Sequence, residues 1–123
     1  MRPSAALLAV LLCACVLLAS SPALARDLPV RAMNDQVVRN HKGWLIFSGD
    51  VEPGWADKNV RVLKRICKGC DWTLAKKVRT DDQGRWRTRI EAPRTGYWYW
   101  KGVVPAADGY ARSVTQIWRT HVE

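Results

Sequence analysis

The chain has 123 residues, with 20 lysines and arginines against 11 aspartates and glutamates and a formal net charge of +9. That length supports one domain around a single core and leaves too little for a second. The charge suits polyanionic neighbours such as wall phosphate polymers, acidic polysaccharide, anionic headgroups or nucleic acid, although solubility alone would also account for it.

Residues 1–25 read as a removable secretory signal. Arg2 provides the positive start, residues 5–19 are an apolar run, and Ala23-Leu24-Ala25 offers a small-residue cleavage site, so the mature chain is expected to begin at Arg26. The run is shorter than the roughly 20 residues a spanning helix needs, so export without a remaining transmembrane segment is expected. Cys15 resembles a lipoprotein acylation position, but Val16, Leu17 and Leu18 continue the apolar stretch beyond it. Arg2 is the sole charge removed, which leaves 98 residues with a net charge of +8.

Residues 26–42 form an arm or first strand, with room for a strand within 28–38. From residue 43 to 123, runs rich in β-branched and aromatic side chains alternate with turn clusters, and no segment keeps a helical apolar period. The expected strands are 44–51, 59–66, 72–79, 85–91, 97–104 and 114–122. Between them lie Pro53-Gly54, Lys68-Gly69, Asp81-Asp82-Gln83-Gly84, Pro93-Arg94-Thr95-Gly96 and Asp108-Gly109, each with turn chemistry. This spacing predicts an all-β sandwich.

Alternation assigns the faces. Trp86, Thr88 and Ile90 share an inner face, and Arg85, Arg87 and Arg89 the outer one. In 97–104 a buried unpaired ammonium would be costly, so Lys101 sets the phase: Tyr97, Tyr99 and Lys101 face out, and Trp98, Trp100, Gly102 and Val104 face in. Val60, Val62, Leu74, Val78 and Ile117 are expected to complete the core.

The stretches Val60-Arg61-Val62, Trp72, Thr80-Asp81-Asp82-Gln83-Gly84-Arg85-Trp86, Tyr99-Trp100-Lys101-Gly102-Val103-Val104-Pro105-Ala106 and Gly109-Tyr110-Ala111-Arg112-Ser113 resemble bacterial secreted immunoglobulin-like or prealbumin-like domains. The resemblance covers roughly residues 43–123. It implies an antiparallel immunoglobulin-like β-sandwich of six or seven strands acting as an adhesive, spacer or surface-presenting module, and it supplies no catalytic residues.

Cys67 and Cys70 remain after signal removal, and in an oxidising compartment a disulfide is expected. Both flanks read as strands, which favours a staple across Lys68-Gly69 over a thioredoxin-type redox pair at a helix N-terminus. Neither His41 nor His121 stands at zinc-ligand spacing from the cysteines. The Asp81–Gly84 cluster lacks the spacing of a calcium loop and reads as a turn. Ser48 and Ser113 sit in no nucleophile motif, and Asp50 and Glu52 lie at a strand end, so no catalytic residue, metal or cofactor is expected.

The expected binding surface is Arg85, Arg87 and Arg89 beside Tyr97, Tyr99 and Lys101, on consecutive strands lying side by side. Arginines pair with phosphate or carboxylate, and aromatic rings stack on sugars or cations. The resulting expectation is a secreted, non-catalytic protein that binds a polyanion or glycan of a bacterial envelope, with another extracellular protein as a further partner and no sequence-specific nucleic-acid binding. Two alternatives are an exported thiol-disulfide protein using Cys67 and Cys70, and a small secreted effector directed at membranes.

Overall fold

A computed structural model describes residues 27–122; the expected signal, the processing site before Arg26 and Glu123 lie outside them. The alternating runs become eight strands: β1 (Gln36–Arg39), β2 (Leu45–Asp50), β3 (Asn59–Arg65), β4 (Thr73–Arg79), β5 (Arg85–Ile90), β6 (Trp98–Val104), β7 (Ser113–Val114) and β8 (Trp118–Thr120). Hydrogen bonding sorts them into a three-stranded sheet ordered β1-β2-β5 and a five-stranded sheet ordered β4-β3-β6-β7, with β8 also paired to β6. The fold is an antiparallel all-β sandwich, compatible with an immunoglobulin-like domain.

The arm supplies the expected seventh strand as β1, and the count exceeds seven because the run 114–122 breaks into β7 and β8. The break has a local cause: the Gly102 amide donates to Thr115 Oγ1 at 2.8 Å, and that hydroxyl donates to the Gln116 carbonyl at 2.7 Å. The Thr115 amide still donates to the Gly102 carbonyl at 2.9 Å, but the hydroxyl takes the place of the Thr115 carbonyl as the acceptor for Gly102, and the ladder stops there. Ile117, expected inside, falls in this break and is exposed.

Phe47, Val60, Val62 and Val104 are fully buried between the sheets, with Trp86, Ile90 and Trp100 beside them. Phe47 meets Trp86 edge-on, with centroids 4.8 Å apart. Each such ring removes roughly 150–250 Å² from water, a gross contribution of about 4–6 kcal/mol before entropy is charged. Buried indoles ordinarily need a partner for the N–H. Trp100 donates to Thr120 Oγ1 at 3.0 Å and Trp55 to the Asn59 carbonyl at 3.1 Å, whereas the Trp86 N–H has none among the described residues. Gly102 makes room for that last ring, since a Cβ there would stand 3.0 Å from Thr115 Cγ2 and 3.3 Å from the Trp86 ring.

Leu74, also expected in the core, is exposed. The β3–β4 register shifts between Val62 and Leu63: Val62 faces Lys76, and Leu63 faces Leu74. Ala75 is therefore the extra residue of a β-bulge, and every residue before it on β4 is turned to the other face. Val78, beyond the bulge, keeps its inward phase and packs on the core.

The arm is sewn into the far end of the sandwich. Ala32 bridges Glu52, Val30 bridges Ala111, and the Arg31 amide donates to Ser113 Oγ at 2.7 Å. The Arg31 side chain is buried, donating from Nε to the Pro53 carbonyl at 2.8 Å and from an η nitrogen to the Ala107 carbonyl at 3.2 Å. Its guanidinium lies 4.8 Å from the Trp55 ring centroid and 4.4 Å from that of Tyr110. Between the sheets at the opposite flank, Lys76 Nζ of β4 donates to the Arg89 carbonyl on the free edge of β5 at 2.7 Å.

Candidate functional site

The structure separates the two stripes that the sequence set side by side. β5 pairs with β2 in the small sheet, and β6 pairs with β3, β7 and β8 in the large one. Arg85, Arg87 and Arg89 therefore occupy the outer face of one sheet, and Tyr99 and Lys101, with Tyr97 just before β6, belong to the other. The composite surface does not form. Residues 91–97 carry the chain across the sandwich instead of turning a hairpin, with Pro93 buried in the crossing.

On the small sheet the arginine row is exposed as expected, but it is largely occupied. Arg85 pairs with Asp81 at 3.5 Å and also bonds Gln83, and Arg89 lies over Trp44, 4.2 Å from its centroid. Asp81 is committed to its turn. One carboxylate oxygen accepts the Gln83 and Arg85 amides at 2.8 and 2.9 Å, and those two bonds hold its pKa below the usual aspartate value. The cluster behaves as turn chemistry, closed by Gly84 at a φ of +77°.

The large sheet gathers a denser set. Register places Arg65, Tyr99 and Arg119 in one row across β3, β6 and β8, with Lys101 opposite Leu63 two residues along. These side chains share the outer face, because directly opposed residues of an antiparallel pair point the same way. Trp72, from the β3–β4 hairpin, joins them: Arg65 lies 4.5 Å and Lys101 4.3 Å from its ring centroid. Arg65 also stands 5.0 Å from Tyr99, and Arg119 lies 4.4 Å from Tyr97. The result is a cation–aromatic ladder running Lys101, Trp72, Arg65, Tyr99.

Charge on this face is unneutralised. Among the described residues the ion pairs are Lys58–Asp108 and Arg85–Asp81, both elsewhere. Burial, together with the like charges of Arg112 and Arg65, pulls the Lys101 pKa below the ordinary lysine value. Arg65 Nε is buried without an acceptor among the described residues. An anion arriving here meets cations already fixed against rings, so little side-chain entropy is lost on binding.

Cys67 and Cys70 are joined at the exposed tip of the β3–β4 hairpin, with Cα atoms 5.1 Å apart and the Cys70 amide donating to the Cys67 carbonyl at 3.2 Å. The tip is longer than a two-residue turn, since β3 ends at Arg65 and β4 begins at Thr73. Strands flank the pair on both sides, so no helix dipole bears on Cys67.

The sequence reading found Tyr97, Tyr99 and Lys101 and missed Arg65, Trp72, Arg112 and Arg119. Part of this was available: a hairpin centred on Lys68-Gly69 sets Arg65 opposite Trp72, and Lys64 does face Thr73 in that register. Nothing in the alternation indicated that β8 would lie beside β6. The chain matches no protein-family model, no curated protein and no solved structure.

Proposed function

We propose that this protein is an exported, non-catalytic binding domain that holds polyanions against the outer face of its five-stranded sheet. The observation that carries this reading is the set Arg65, Lys101 and Arg119, which is ordered by Trp72, Tyr97 and Tyr99, has Arg112 near enough to repel Lys101, and has no carboxylate paired to it among the described residues. The same geometry favours an anionic polymer over a neutral glycan. Trp72 and Tyr99, which a sugar would stack on, already carry the protein's own cations. The signal-like start of the chain, the Cys67–Cys70 disulfide and the resemblance to exported bacterial domains support an envelope polymer as the natural ligand.

The test is salt-dependent retention on immobilised polyphosphate, comparing Lys101→Glu with Arg119→Glu in one variant and Arg85→Glu with Arg87→Glu in a charge-matched second. The large-sheet variant is expected to lose at least about tenfold in affinity, with a shallower dependence on log salt by roughly 0.7–0.9 per lost phosphate contact. Equal losses in the two variants would refute the assignment of the face.

A further inference from the structure

We propose that the hairpin end of the sandwich docks peripherally on an anionic lipid surface. This inference goes beyond polymer binding and rests on the end of the molecule, which adjoins the sheet face at Tyr97 and Arg119. Topology brings four segments to that end. Arg39, Leu45 and Ile90 are in register at the end of the small sheet, and Arg65, Tyr99 and Arg119 near that of the large one. The turn at 40–44, the disulfide tip at 66–72, the crossing at 91–97 and the chain after β8 therefore emerge together. Direct contacts agree: Thr120 Oγ1 donates to the Glu91 carbonyl at 2.8 Å, and the Tyr97 and His121 rings lie 5.2 Å apart. A groove of about 530 Å³ is shared by Trp44, Arg89, Glu91, His121 and Val122.

Each segment brings an exposed apolar side chain to the end. Trp44 is 40% exposed, Tyr97 43%, Val122 58% and Ile66 62%. Basic residues surround them. Lys42 lies 5.0 Å from the Trp44 centroid and Arg119 4.4 Å from that of Tyr97, and Lys68 and Arg94 are exposed on the tip and the crossing. Among the described residues, acidic side chains are gathered at the other end, where Asp50 closes β2 and Glu52, Asp57, Asp81, Asp82 and Asp108 occupy the loops between strand ends, against Asp71 and Glu91 here. An anionic surface would orient such a molecule with the hairpin end toward it.

Aromatic rings beside lysine and arginine stems suit the headgroup boundary, where apolar bodies sink and charged tips stay in water. A soluble polyanion gives Ile66 and Val122 nothing to bury against. The lipid surface accommodates them and the cations together. The disulfide adds preorganisation, because the tip carrying Ile66 is closed before it meets the surface.

The experiment is co-sedimentation of the protein, recovered from an exporting host, with phosphatidylcholine vesicles with and without phosphatidylglycerol. Binding is expected only to the anionic vesicles. Ile66→Asp with Val122→Asp should lower the partition coefficient roughly tenfold or more, the scale of sinking an exposed aliphatic side chain. Leu28→Asp with Val30→Asp, the same chemical change on the arm at the far end, should leave it unchanged, and Lys68→Glu should weaken binding without altering the apolar tip. Equal binding to neutral vesicles, equal losses in the tip and arm variants, or a tip variant that binds as the parent would each overturn the proposal. Polyphosphate retention is measured on the same variants; retention unchanged in Ile66→Asp with Val122→Asp while vesicle binding falls separates the end from the sheet face.

Discussion

Arg31 is a buried cation with no carboxylate paired to it among the described residues, and replacing it tests how the arm is held. Its guanidinium donates to the Pro53 and Ala107 carbonyls and lies against Trp55 and Tyr110, while one η nitrogen has no acceptor among the described residues. Charged hydrogen bonds contribute about 1.5–3 kcal/mol each and cation–π contacts roughly 0.5–2 kcal/mol each, opposed by a desolvation penalty of several kcal/mol. The intact side chain is thus close to balance, and truncation costs more than this balance implies, because it leaves a void and takes a donor from the Pro53 carbonyl, while the Ala107 carbonyl keeps the Tyr110 amide at 2.9 Å. Pro53 is exposed, so water recovers part of one bond. Arg31→Ala is expected to cost about 2–4 kcal/mol, and Arg31→Met, which fills the space and removes the desolvated charge, about 1–2 kcal/mol. Urea unfolding followed by tryptophan fluorescence reads both, with the m-value unchanged. A cost below about 1 kcal/mol for alanine, or a larger cost for methionine than for alanine, would refute this account of the clamp.

Reducing Cys67–Cys70 should cost about 2 kcal/mol, the entropy of so short a loop, and raise amide exchange at the hairpin tip alone; global loss of structure on adding reductant would contradict the staple role. The Lys101 pKa is lowered by burial and then by Arg112 and Arg65, so the unfolded chain binds more protons than the folded one between that lowered value and the ordinary 10.5. Stability should therefore rise with pH through that alkaline window, and Lys101→Met should flatten the rise; an unchanged slope in the variant would remove Lys101 as its source. Gly102→Ala should cost about 1–3 kcal/mol by equilibrium denaturation, because Thr115 is hydrogen-bonded in place and cannot yield to the new Cβ. A neutral result would mean that Thr115 yields despite its hydrogen bonds.

Strand positions were legible because alternation is a local property. Arg85, Arg87 and Arg89 face out while Trp86 and Ile90 face in, and Lys101 set the phase that buried Trp100 and Val104. Leu74 escaped because one bulged residue reverses the faces without altering composition. Ile117 escaped because the hydroxyl of Thr115 interrupts a run that reads as continuous. The site was harder to read, since a surface depends on which strands are neighbours, and consecutive strands are adjacent often but not always. Here β5 and β6 part company across residues 91–97, so half of the expected surface faces away from the other half. The partners that Tyr99 gains in exchange, Arg65 and Arg119, are 34 residues before it and 20 after it in sequence.

The bond from Lys76 to the Arg89 carbonyl has a bearing on solubility. An open β edge is a template for a second copy of the chain, and β5 is such an edge. By reaching over from the neighbouring layer, one ammonium occupies an acceptor that an intruding strand would need and sets a positive charge in its path. Removal of that amine by Lys76→Ala leaves the monomer's interior untouched and unguards its flank, so light scattering on concentration would register the change before any melting curve does.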